Sequence, residues 1–124
     1  PMEIAAKPEG PFIRVEALVD TGAFYSWVPA STLENLGVRP TFQRQFRTAD
    51  GRVIERPVAE VVARIDGQVA HTFCVFGDEG TEPLLGAYTL EAFALSPDPV
   101  SQRLVPLGPL PLLVIMRGLG LPRG

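Results

Sequence analysis

One cysteine, Cys74, and one histidine, His71, are all that 124 residues contain of either type. A lone cysteine excludes an internal disulfide framework, and together the two exclude most zinc sites. A Ser-His-Asp or Cys-His arrangement would have only His71 as its base. Cys74 lies in the apolar run "HTFCVFG" and reads as a small buried hydrophobe. Charge is sparse as well: 11 Lys and Arg against 14 Asp and Glu leave a net −3. No basic stripe interleaved with aromatics is present, so nucleic acid is not an expected partner. The tail "PLPLLVIMRGLG" is greasy, but its unbroken apolar part, Leu112 to Met116, falls well short of the roughly 18 residues a membrane span needs. The opening "PMEIAAKPEG" has neither the basic start nor the apolar centre of a secretory leader. A cytoplasmic protein with no membrane partner, metal or cofactor is expected.

What is abundant points elsewhere. Hydrophobic residues make up 46% of the chain and charged residues 20%, the balance of a folded globule. The length fits one domain over residues 1–124, with a core from about 12 to 106 and an apolar tail from 107 to 124. Thirteen prolines and twelve glycines interrupt the apolar runs so often that many short strands and tight turns are expected.

"FIRVEALV" alternates, with Ile13, Val15, Ala17 and Val19 on one face and Arg14 and Glu16 on the other, which predicts a strand. "PASTLENLGV" predicts a short helix, with Pro29 near its start, Leu33 and Leu36 inward and Gly37 ending it in a left-handed conformation. "RQFRTADGRVIER" predicts a hairpin around Ala49-Asp50-Gly51. "AEVVARIDGQVAHTFCVF" predicts another, turning at Asp66-Gly67. Further on, Leu84-Leu85 ends a strand, Gly86 turns it, and Ala87 to Ala94 has helical spacing with Leu90 and Phe93 inward. Ser96 to Pro99 is expected as a turn and Gln102 to Val105 as a strand. The class is mostly β with two short helices.

The stretch "EALVDTGAFYSWVPA" places a carboxylate, Asp20, at the end of an apolar strand. A strand-ending turn explains Asp20-Thr21-Gly22 at its simplest. The surroundings of this stretch recur further along the chain. "TLENLGV" (Thr32 to Val38) resembles "TLEAFAL" (Thr89 to Leu95), and each lies downstream of a Gly-Ala that closes an apolar strand, Gly22-Ala23 and Gly86-Ala87. The repetition suggests an internal pseudo-twofold built from strand, glycine turn and short helix.

"LVDTGA" (Leu18 to Ala23), a flap-like hairpin, and "LLGA" (Leu84 to Ala87) before a helix together resemble the retropepsin-like, single-domain aspartic proteases, and more closely their uncharacterised bacterial and archaeal branch. The likeness covers about Phe12 to Pro106. It implies a closed acid-protease barrel and a homodimeric endopeptidase acting on extended polypeptides without a cofactor. By the same resemblance Asp20 is the catalytic aspartate, supported in its loop by Thr21, Gly22 and Ala23. Thr21 would tie the two active loops together across the dimer. Ala49, Asp50, Gly51 and Arg52 would form the flap tip, and Tyr25, Trp27, Leu84 and Leu85 would contact substrate. Two departures stand out. Retroviral enzymes pair an aspartate after Asp-Thr-Gly-Ala with an arginine after the downstream glycine, where this chain has Phe24 and Ala87. The flap tip also lacks their glycine-rich sequence.

Hydrolysis of a peptide without a covalent nucleophile needs one carboxylate to take a proton from water and one carboxylic acid to give a proton to the carbonyl oxygen. Two aspartates serve when they are too close to ionise together, so that their titration belongs to the pair. This chain has one such acid, since the "LLGA" copy carries leucine at the matching place. Two chains, each giving Asp20, are therefore expected to meet about a twofold axis. The simpler alternatives are that Ser26 is a structural hydroxyl, that Tyr25 and Trp27 are core, and that Asp50 and Asp66 only serve their turns. A dimeric peptide-binding or assembly module with weak hydrolysis is the rival to the enzyme.

Overall fold

The computed structural model describes residues 1–109, so the tail segment Leu112 to Met116 lies outside the described residues. Two compact units are present, Pro1–Phe93 and one that starts at Ala94. The first contains β1 (Met2–Ala5), β2 (Ile13–Val15), β3 (Leu18–Val19), β4 (Ser26–Pro29), α1 (Ala30–Asn35), β5 (Phe42–Arg47), β6 (Val53–Ile65), β7 (Gln68–Gly77), β8 (Leu84–Leu85) and α2 (Ala87–Ala92). The second contains the antiparallel hairpin of β9 (Leu95–Asp98) and β10 (Arg103–Pro106). The protein is mostly β with two short helices.

Eight strands of the first unit form one sheet, ordered β2-β1-β6-β7-β4-β8-β3, with β5 on the remaining part of β6. The expected closed barrel is instead an open path, because no ladder joins β2 to β3 among the described residues. Its two ends are nevertheless consecutive pieces of Ile13–Val19, one paired with β1 and the other with β8. The covalent chain, not a ladder, brings the sheet round on itself.

β6 and β7 form its spine. Asp66 and Gly67 both have positive φ, 51° and 81°, the backbone that a two-residue hairpin twisting with its strands requires. The ladder then runs from Ile65↔Gln68 to Val58↔Val75. Val61, Val62 and Ala63 are buried in succession, so both faces of the strand are covered there. β1 covers part of it, pairing Ile4 with Ala63 and with Ile13. Met2, Ile4 and Ala5 are almost wholly buried, which carries the core to the N-terminal side of Phe12, where the sequence pattern first becomes visible.

Two local expectations change. The second helix ends at Ala92 and not Ala94, whose φ of 52° is incompatible with helix continuation. Ser96 to Pro99 is mostly strand β9, and the turn comes later, with Gln102 at φ 57°. Pro97 lies opposite Leu104 in a two-stranded ladder, where one strand edge is free and a missing N–H is tolerated.

Candidate active site

β3 and β8 run parallel, with Leu18 beside Leu84 and Val19 beside Leu85. Main-chain bonds continue past the strand, the Asp20 N–H donating to the Leu85 carbonyl at 3.0 Å. Period two then decides what faces where. Val19 and Leu85 point inward, and Leu85 is buried; Leu18 is 54% exposed and shares its face with Asp20. The carboxyl is thus set at the end of a fixed strand, beside apolar side chains, on the open face of the sheet.

The loop that follows is shaped around that carboxyl. Ala23 N–H donates to the Asp20 carbonyl at 3.1 Å and closes the turn. Gly22 N–H donates to Asp20 Oδ1 at 3.0 Å. A Cβ at Gly22 would lie 3.2 Å from the same oxygen, so the glycine gives the acid its room. Thr21 is exposed at the crest of the turn.

The β8–α2 turn supports this loop from beneath. The first two N–H groups of α2 donate to it, Ala87 to the Ala23 carbonyl at 2.8 Å and Tyr88 to the Phe24 carbonyl at 2.9 Å. Orphan donors of a helix N-terminus thereby become the fasteners of the acid loop. Phe24 and Ala87 carry no charge, and the main chain joins the two segments. Gly86 is buried against Tyr25, whose carbonyl oxygen would stand 2.4 Å from an added Cβ. Ser26 Oγ accepts the Gly86 N–H at 3.0 Å and continues through Thr89 Oγ1 at 2.7 Å to Thr72 Oγ1 at 2.8 Å. All three hydroxyls are buried, so Ser26 is a structural hydroxyl. Thr72 and Thr89 could not be read as its partners from the chain, because their contact depends on tertiary placement.

The proposed substrate contacts divide. Tyr25 is 8% exposed and packs with Val58 and Val75, with Phe42, Phe46 and Phe73 around it. Its ring centroid lies 5.7–6.5 Å from those three rings, the spacing of edge-on aromatic packing. Trp27 is half-buried with Phe46 at 4.9 Å, and the cluster thus roots the β5–β6 hairpin beside β4. Tyr25 and Leu85 belong to the core, while Trp27 and Leu84 keep partial exposure. Leu18 was missed, although alternation from Arg14 and Glu16 puts it on the outward face with Asp20.

Ala49, Asp50, Gly51 and Arg52 lie at the tip of the β5–β6 hairpin. Gly51 has φ 89°, and its N–H donates to the Thr48 carbonyl at 2.9 Å. The Thr48 hydroxyl donates to Asp50 and, with the Arg52 N–H, holds that carboxyl below its ordinary range. Arg52 Nε adds an ion pair at 3.1 Å. These hydrogen bonds tie the tip of the hairpin together. Elsewhere, burial pushes the Cys74 thiol up to about 12, so it is unreactive as a nucleophile at neutral pH. Among the described residues no group of His, Cys, Asp and Glu is placed to hold a metal ion. No helix among them is long and apolar enough to cross a membrane.

A mostly β fold with two short helices and an Asp-Thr-Gly loop braced by a Gly-Ala turn is that of the retropepsin-like class. The chain belongs to the aspartyl protease family, whose family model matches residues 5–89. It is similar in fold to the solution structure of simian foamy virus (mac) protease, with a TM-score of 0.51 and 21% identity over 73% of this chain and 88% of that one. No curated protein matches the chain.

Proposed function

We propose that the protein is an aspartic endopeptidase that cleaves extended polypeptides as a homodimer, with one Asp20 from each subunit. The observation that carries this is the setting of Asp20: a carboxyl on the open face of the sheet, held by the Gly22 N–H, with the loop beneath it fastened by α2. A turn residue alone requires no such bracing.

In the dimer one Asp20 is ionised and the other carries the shared proton. The ionised carboxylate takes a proton from a water molecule held between the pair. The resulting hydroxide attacks the peptide carbon while the protonated acid gives its proton to the carbonyl oxygen, forming a gem-diol. The intermediate collapses as the carboxyl that took the water proton gives it to the departing nitrogen and the other carboxylate takes a proton from a gem-diol hydroxyl, so that the C–N bond breaks and the pair again holds one proton. No covalent enzyme intermediate forms. Leu18 and Leu84 flank the acid and suit apolar side chains beside the cleaved bond, with Trp27 further along the wall. The hairpin tip at Asp50-Gly51 would close over the peptide and exclude water.

Cleavage of an extended peptide with apolar side chains beside the scissile bond is the readout. Asp20→Asn should lower it by about 10²–10⁴-fold or more at every pH, a loss typical of removing a general acid or base. Undiminished cleavage by the variant would refute the mechanism. Phe24 and Ala87 motivate the second reading, a dimeric peptide-binding module of weak activity. Tight capture of library peptides without turnover, under conditions where the dimer is populated, would favour it.

A further inference from the structure

Arg39, Arg44, Arg47, Arg52 and Arg56 fall within residues 39–56 against only Asp50 and Glu55, in a chain whose net charge is −3. The β5–β6 hairpin is therefore a basic element of an acidic protein. Two of these arginines stand directly opposite each other, Arg44 beside Arg56 in the ladder. Like charges so placed repel, and each needs something to offset the cost. Arg56 has it, its guanidinium meeting Asp78 at 3.2 Å. Arg44 has no carboxylate partner among the described residues and is held 4.8 Å over the Phe42 ring. That ring packs on Tyr25 and Phe73 at 6.5 and 5.8 Å, so the cation is anchored to the core while the residue stays exposed.

The ladders place Arg44 on the face of the sheet that carries the acid. Residues opposite each other in a ladder share a face. Leu18 is opposite Leu84, Leu84 opposite Trp27, Trp27 opposite Val75, Val75 opposite Val58, and Val58 opposite Phe42. Asp20 follows Leu18 by two residues and Arg44 follows Phe42 by two, so both stay on that face. Phe46, two further on, packs on Trp27 at 4.9 Å, which joins the hairpin face to the wall formed by Leu84 and Trp27.

We infer that Arg44 is a specificity-determining residue, receiving an acidic side chain of the polypeptide at a position away from the cleaved bond. This rests on the endopeptidase reading above. Side chains of an extended peptide alternate, so a peptide lying along the wall from Leu18 and Leu84 past Trp27 turns every second one toward the hairpin. A carboxylate there gives Arg44 the partner that Asp78 gives Arg56, through a charge-assisted hydrogen bond. A lysine at the same place meets two arginines and is repelled.

Cleavage of an apolar-centred peptide, with Glu, Gln or Lys placed in turn at each position outside the central pair, tests this. At one position Glu should raise kcat/KM about fivefold or more over Gln, and Lys should lower it. The ratio should shrink as salt is added. Arg44→Gln should bring the Glu-to-Gln ratio within about twofold, and Arg44→Glu should turn the preference toward Lys, a reversal that no loss of packing produces. Equal cleavage of the Glu and Gln peptides at every position by the wild type, or a ratio that Arg44→Gln leaves intact, overturns the inference and leaves the aspartic mechanism standing. If no peptide is cleaved, the endopeptidase reading fails, and binding of the same peptides, followed by fluorescence anisotropy, decides the inference alone. A preference for Glu that Arg44→Gln removes supports it, and the absence of such a preference overturns it.

Discussion

Two Gly-Ala turns lie side by side at the ends of neighbouring parallel strands, and the chain treats them oppositely. Gly22 sits in the open with its N–H on the Asp20 carboxyl; Gly86 is buried with its N–H on the Ser26 hydroxyl. Around the first, space is reserved for an acid. Around the second, space is filled by the Tyr25 main chain. The helices that follow differ in the same sense. α1 begins only after β4, and the Ser31 N–H and hydroxyl donate to Glu79 at 2.9 and 2.6 Å. α2 begins directly at Ala87 and spends its first donors on the acid loop. Similar letters therefore serve separate tasks, room for an acid in one copy and bracing in the other.

Substituting the two glycines alike should separate those tasks. Gly86→Ala forces a methyl onto a backbone carbonyl that cannot move away cheaply, and a destabilisation of about 3 kcal/mol or more is expected. A thermal melt checks it, and a wild-type melting temperature would show that the brace is not rigid. Gly22→Ala should fold normally, because the turn is exposed and only the Asp20 oxygen is crowded. Its cost should appear in turnover, about tenfold to a hundredfold from a displaced carboxyl. Equal effects of the two substitutions on stability would erase the distinction.

The smallest effect concerns the two helix starts. The Ser31 hydroxyl and then its N–H hold the Glu79 carboxyl below its ordinary range. A depressed carboxyl stabilises the fold above its unfolded-state titration and loses that contribution as pH falls through the folded value. Glu79→Gln should therefore melt slightly earlier than wild type at neutral pH, with the gap closing in acid. A gap that persists in acid would mean that the contact acts through packing and not charge.

Much of this was legible in the chain. Asp66-Gly67 and Gly51 announced their turns because left-handed backbone selects so few residues, and Leu33 and Leu90 showed the helix faces. The site loop was legible through "LVDTGA" and "LLGA" together. The failures share one cause: partners distant in sequence. β1 is too short to display a period and exists because Ile4 meets Ala63. β4 is a strand because Ser26–Pro29 pairs in parallel with Cys74–Gly77. Pro97 and Pro99 looked like a turn, yet a lone hairpin has an edge where Pro97 fits. Tyr25 could have faced substrate or core, and only the convergence of Phe42, Phe46 and Phe73 placed it inside.

The need for two chains in one site is tested most directly by mixing. Wild-type and Asp20→Asn subunits, combined at constant total concentration and allowed to exchange, should give cleavage that follows the square of the wild-type fraction, about one quarter of full activity at equal parts, because random pairing leaves that share of dimers with both acids. A linear decline to about one half would mean that each chain cleaves alone, and the shared-proton mechanism would be wrong.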